Sequence, residues 1–174
     1  MALRKLQGLK EMSMNFLVKI KRSNPNFPLA EYISNLDCCE FVDSVSSEKI
    51  DGIAKISDEK EIQALINKFR FISRNVERIE KEYKFERDEK GTLPFWISFK
   101  VRKGNLHEIE NFLNRQKGIL EAYLTESSIY IRGISNSMEE VNEFWSNLYK
   151  EIGNAIDGRS RAKTYFIFKR FSKD

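Results

Sequence analysis

The chain has a single histidine, His107, at the head of a segment with helical spacing, Leu106, Ile109, Phe112 and Leu113. In the first turn of a helix the positive end of the backbone dipole disfavours imidazolium, which suits a general base. Nucleophilic catalysis also needs a serine, threonine or cysteine held beside that base, and no motif supplies one. His107 therefore reads as polar surface. The only cysteines are the adjacent Cys38 and Cys39, which on a strand point to opposite faces and do not bridge readily. Without a second ligand cluster they imply no zinc site, and no metal or cofactor is expected. Carboxylates crowd "SMEEVNEF" and "ERIEKEYKFERDE", but among cations or on the polar side of an amphipathic pattern, where solvated faces are the simpler reading. "RKGN" and "IDGRSR" lack the strand-turn-helix spacing of a phosphate loop. The expectation is a non-catalytic protein.

A different chemistry lies in "LPFWISFKVRKGN". If Phe95, Ile97, Phe99 and Val101 face a core, Trp96, Ser98, Lys100 and Arg102 share the other side of the strand. Alternation extends that side to Glu121, Tyr123 and Thr125, to Tyr130 and Arg132, and to Tyr165, Ile167 and Lys169. Rings interleaved with cations form a stacking platform for single-stranded nucleic acid, the bases lying on rings while Lys and Arg follow the phosphates. The competing expectation is that Trp96 is covered, by another sheet or a second subunit.

The elements that must position these residues follow from periodicity. "NFLVKIKR" alternates as a strand, and Leu29, Tyr32, Ile33 and Leu36 have helical spacing after Pro28. "CCEFVDSV" and "KIDGIAKI" read as a hairpin around "SSE". Asp58 and Glu61 open a helix carrying Ile62, Leu65, Ile66 and Phe69, and "VERIEKEYKF" is a charged strand of edge type. The second half repeats the order. "PFWISFKV" is followed by a helix that Asn105 can cap, a hairpin around Ser127 and Ser128, and a helix opened by Ser137 and Glu140. That helix carries Met138, Val141, Trp145, Leu148 and Ile152, and "AKTYFIFKRF" is the last strand. The helical stripe of the first half recurs in the second at an offset of about 79 positions.

This order, strand-helix-strand-strand-helix-strand taken twice, predicts an α+β protein of tandem ferredoxin-like repeats, each a four-stranded antiparallel sheet with two helices on one face. Residues 1–13 form an N-terminal extension, 14–87 the first repeat, 88–93 a linker and 94–174 the second repeat with a basic tail.

With 174 residues, 41% hydrophobic, the chain can bury one ordinary core or two small ones. Charged residues make up 32% against a net charge of +4, so most of them lie on a mixed surface. The excess of cations collects at the end, in Arg159, Arg161, Lys163, Lys169, Arg170 and Lys173. No apolar run approaches the ~20 residues that cross a bilayer, and no secretory leader opens the chain, so a cytoplasmic protein is expected. The wealth of Lys and Glu suits a thermophile.

Two resemblances follow from these stretches. The second half, with Trp96 and Tyr130 on its central strands, resembles an RNA-recognition motif, although "SIYIRGI" lacks the glycine and paired aromatics of that family's signature. The whole chain, with "SSIYIRGISNSMEEVNEFWSNL" feeding a hairpin into a capped helix, resembles the tandem ferredoxin-like or ACT-like sensory half of archaeal transcription regulators of the bacterio-opsin-activator type. Such regulators end in a helix-turn-helix, and this sequence stops at "FKRFSKD". The resemblance implies a regulatory module whose partner is a small-molecule effector or a protein, with homodimerisation and single-stranded nucleic acid as alternatives.

Overall fold

The structure is a computed structural model that describes residues 14–21, 29–68, 76–87, 90–157 and 162–172. Its elements run in the expected order. They are β1 (Asn15–Lys21), α1 (Leu29–Ser34), β2 (Cys39–Ser46), β3 (Ile50–Ser57), α2 (Glu59–Lys68), β4 (Val76–Lys84), β5 (Leu93–Lys100), α3 (Leu106–Arg115), β6 (Ile119–Thr125), β7 (Ser128–Ser135), α4 (Met138–Ile152) and β8 (Lys163–Ser172). Pro28 and Phe69, which the sequence reading used, lie outside the described residues, as do residues 1–13, Arg159, Arg161 and Lys173.

The chain divides into two compact units. One comprises the residues up to Ile79 together with Phe168 onwards, and the other is Glu80–Ile167. In the first, β3 pairs antiparallel with both β1 and β2, and β1 also pairs with the start of β4. In the second, β5 lies between β8 and β7, and β7 pairs in turn with β6. These pairings are all antiparallel, as expected. Two four-stranded sheets that match the expected repeats are not confirmed: β4 and β8 each contribute residues to both units.

Each unit has its own helix-side core, built from one face of its strands. In the first unit Val18, Ile20, Val42, Ala54 and Ile56 meet Ile33 of α1 and Ile62 and Leu65 of α2. In the second, Phe95, Ile97, Phe99, Ile129 and Ile131 meet Ile109, Phe112 and Leu113 of α3 and Val141, Leu148 and Ile152 of α4. Met138, expected on that stripe, is exposed instead; it is the first residue of α4, where the helix has only begun to approach the sheet.

The caps bear out the sequence in part. Asp58 Oδ1 accepts from Lys60 N at 2.9 Å, so Asp58 caps α2, and it does so with a left-handed φ of 84°. Ser137 Oγ accepts from Glu140 N at 3.2 Å, while the Glu140 carboxylate accepts from the Asn136 backbone at 2.7 Å, one residue before the position of a regular capping box. Asn105 does not cap α3. It ends a short 3₁₀ turn, Lys103–Asn105, that already leads the chain into the helix.

Candidate functional site

Strand register assembles the residues that alternation had placed together. Trp96 lies opposite Arg132 on β7 and Tyr165 on β8, and Arg132 lies opposite Glu121 on β6. One row across the second unit therefore reads Tyr165, Trp96, Arg132, Glu121. The neighbouring row reads Lys163, Ser98, Tyr130, Tyr123. None of the four rings belongs to the helix-side core, so both rows lie on the helix-free face. The rings of Trp96 and Tyr123 lie 5.9 Å apart, tilted by 34°.

This face is buried. Trp96 and Tyr123 are 0% exposed and Tyr130 2%, with Tyr165, Arg132 and Glu121 below a tenth. The stacking platform for nucleic acid is thereby corrected, because a base cannot reach a ring that has no accessible surface. What the sequence took for an open surface is a layer of aromatic rings, hydroxyls and one ion pair shielded from water. Arg132 Nε stands 4.0 Å from Glu121 Oε1. Withdrawing a guanidinium from water costs several kcal/mol, so such a group on a sheet face is retained for more than packing. Burial raises the Tyr165 phenol above its ordinary pKa, so it stays neutral and can donate a hydrogen bond.

The other expected binding residues are placed differently. Lys100, Arg102 and Lys163 are exposed. Lys169 does not continue the row of Tyr165 and Ile167: its ammonium lies 4.5 Å from the ring centre of Phe171, which packs on the first unit's helix-side core. Arg170 points inward in its place. It donates from Nε and Nη2 to both carboxylate oxygens of Asp43, at 2.6 and 2.9 Å, and stacks at 4.0 Å over Phe41. The sequence counted Arg170 in a free basic tail. Strand β8 continues through Ser172 and gives it a fully buried partner.

The sequence reading passed over several polar groups now seen to be buried or engaged. Asp43 and Lys55 are buried on the helix-free face of the first unit, Lys55 pairing with Glu40 at 2.5 Å. Their alternation with Val42, Ala54 and Ile56 was a usable signal. In the second unit Lys81 bonds Glu110 at 2.9 Å and holds its carboxyl below the usual range, while burial and the nearby Glu110 drive the Tyr83 phenol far up. His107 is exposed, with Nε2 at 3.3 Å from Asn111 Nδ2. No signal of spacing joins β4 to α3, so this cluster was not legible. Among the described residues no group of three or more His, Cys, Asp or Glu is placed to hold a metal, and no helix is long and apolar enough to cross a membrane.

No family model matches the chain, and no curated protein matches it. Solved structures do. The siroheme decarboxylase NirDL is similar over 98% of this chain and 81% of its own, with a TM-score of 0.67 and 8% identity. It has also been determined in co-complex with an iron-uroporphyrin III analogue. An uncharacterized ferredoxin fold protein related to antibiotic biosynthesis monooxygenases, from Listeria monocytogenes, is similar over 92% of this chain and 98% of its own, with a TM-score of 0.55 and 12% identity. A putative monooxygenase from Fusobacterium nucleatum is similar over 92% and 94%, with a TM-score of 0.51 and 13% identity.

At these identities the likeness is one of fold, and the fold is ferredoxin-like. It gives no support to the resemblance to bacterio-opsin-activator regulators or to RNA-recognition motifs. The expectation of a non-catalytic transcription-regulator module is corrected accordingly. Among these neighbours one is named a siroheme decarboxylase and another a putative monooxygenase, and none is named a transcription regulator.

Proposed function

We propose that the protein is an enzyme-like binder of a small planar organic acid, received against the helix-free face of its second unit, which must open to admit it because Trp96 and Tyr123 have no accessible surface in the closed state. The observation that carries this reading is the buried row Tyr165, Trp96, Arg132, Glu121. Both helix-side cores are apolar, whereas this face buries a guanidinium and a carboxylate among its rings. A face that combines flat rings with a buried guanidinium suits a ligand that is itself flat and negatively charged. In this reading Arg132 pairs with the carboxylate, the ligand ring packs beside Trp96 and Tyr123, and the protonated Tyr165 phenol donates a hydrogen bond to it. Glu121 holds Arg132 when the site is empty. The neighbour determined with an iron-uroporphyrin III analogue makes a conjugated ring acid a reasonable first probe. The same reading treats the two units as copies of one βαββαβ plan, with 14–87 and 94–174 as the copied spans and 88–93 as their join.

The experiment uses the Trp145→Phe variant, which leaves Trp96 as the only tryptophan. Titration with 1-naphthoate, naphthalene-methanol and iron-uroporphyrin III is followed by Trp96 fluorescence. The carboxylates should quench it, and Arg132→Lys, which keeps the charge but loses the planar fork, should weaken them about tenfold and leave the neutral alcohol unaffected. Absence of quenching by all three, or an Arg132→Lys protein of unchanged affinity, would refute the reading.

A further inference from the structure

At one margin of the second unit lies a cavity of about 230 Å³. It does not involve the buried row, and its argument is independent of the reading above. Its walls are apolar, formed by Val101 after β5, Leu106 at the head of α3 and Leu124 near the end of β6. Three charged side chains complete it: Glu80 of β4, Arg102, and Glu126 in the β6–β7 turn. The backbone that presents them is fixed. Arg102 N donates to Ala155 O at 2.8 Å, Val101 N to Ser127 O at 3.0 Å, and Val101 forms a bridge with Ile156. The buried Thr125 hydroxyl, which also lines the cavity, is engaged with the backbone of Ser128 at 3.2 Å.

The other described arginines of the unit are engaged. Arg87 binds backbone carbonyls, Arg115 pairs with Glu151 and Arg132 with Glu121. Arg102, Glu80 and Glu126 form no ion pair or side-chain hydrogen bond among the described residues. A cation and two carboxylates around one apolar hollow, none neutralising another, make a surface complementary to a molecule with both charges and an apolar body.

We infer that this cavity binds a small amphipathic zwitterion, of the size and type of an α-amino acid with an apolar side chain. Its carboxylate pairs with Arg102, its ammonium with Glu80 and Glu126, and its side chain lies among Val101, Leu106 and Leu124. The backbone hydrogen bonds of Val101 and Arg102 hold the Arg102 position in place and lower the ordering cost of binding there.

Calorimetry on the full chain with L-phenylalanine, phenethylamine and 3-phenylpropionate tests this, since the last two each lack one of the charges. L-Phenylalanine should bind at least tenfold more tightly than either. Arg102→Gln should abolish its advantage over phenethylamine while leaving phenethylamine binding as it was. Glu80→Gln with Glu126→Gln should abolish its advantage over 3-phenylpropionate. All three positions are exposed, so these variants are expected to fold, and unchanged thermal midpoints confirm it. Equal affinity for the three compounds, no heat from any of them, or a preference that survives Arg102→Gln would overturn the inference.

Discussion

Asp43 and Arg170 illustrate how much a single pair can decide. The carboxylate is wholly buried, and the guanidinium, 27% exposed, reaches it with two donors while covering the Phe41 ring. Removing the cation deprives a buried carboxylate of two charged donors, and that is costlier than the pair is stabilising. Arg170→Ala is therefore expected to destabilise the protein by about 2–4 kcal/mol, somewhat below the full buried-pair value because Arg170 keeps contact with water. Arg170→Lys should recover only part of this, as it loses both the planar fork and the stacking. Urea unfolding of the two variants decides the matter, and a loss under about 0.5 kcal/mol for Arg170→Ala would mean that the pair acts as an ordinary surface bridge. The same residue marks a limit of sequence reading. Alternation from Tyr165 and Ile167 assigns Lys169 to the buried side, yet Arg170 occupies it, because the side-chain parity of β8 changes between Ile167 and Arg170. Nothing in a run of "FKRF" reveals such a change.

Among the elements, strands and helices of strong period were legible, and the joints between them were not. The faces of β5, β6 and β7 follow from alternation, so the row of Trp96, Arg132 and Glu121 could be written down before any coordinates. That this row is buried could not, since a polar face between aromatic residues looks the same whether water or protein lies against it. The end of α3 is the clearest missed joint. Arg87, which lies in a stretch that reads as charged surface, donates to the carbonyls of Leu113, Asn114, Gln116 and Ile119, closing the helix and the start of β6. Its guanidinium also lies 4.5 Å from the centre of the Phe85 ring. Arg87→Met keeps much of the apolar stem but leaves those carbonyls without their donor. It should cost about 1.5–3 kcal/mol, the usual loss for hydrogen bonds to a charged group. Amide exchange in the last turn of α3 should quicken more than exchange in α4, and equal protection of the two helices would show that water replaces Arg87 without penalty.

At the scale of the whole molecule, the division into units does not follow the order of the chain. The first unit includes the end of β8, and Arg170 meets Asp43 across 127 positions of sequence. Truncation after Ile167 should therefore leave the second unit with its core residues and strip the first of a strand segment. Native-state hydrogen exchange on that truncated protein should show β2 and β3 losing protection well before β5 and β7. Loss of protection spread evenly over all four strands would mean that the units do not respond separately.

The first unit's dependence on the end of β8 also bears on how the protein is made. A ribosome delivers β1, β2 and β3 early, but Asp43 meets the Arg170 guanidinium only when Arg170 has left the exit tunnel. At ~5–20 residues per second the 127 positions between them correspond to roughly 6–25 seconds of synthesis. The second unit is encoded within that interval, so it has its full sequence first. During that time the first unit stands without the Arg170 donors to Asp43 and with a strand position vacant. The part of the protein written first is the part finished last, and the nascent chain is most exposed to mispairing and proteolysis at its beginning.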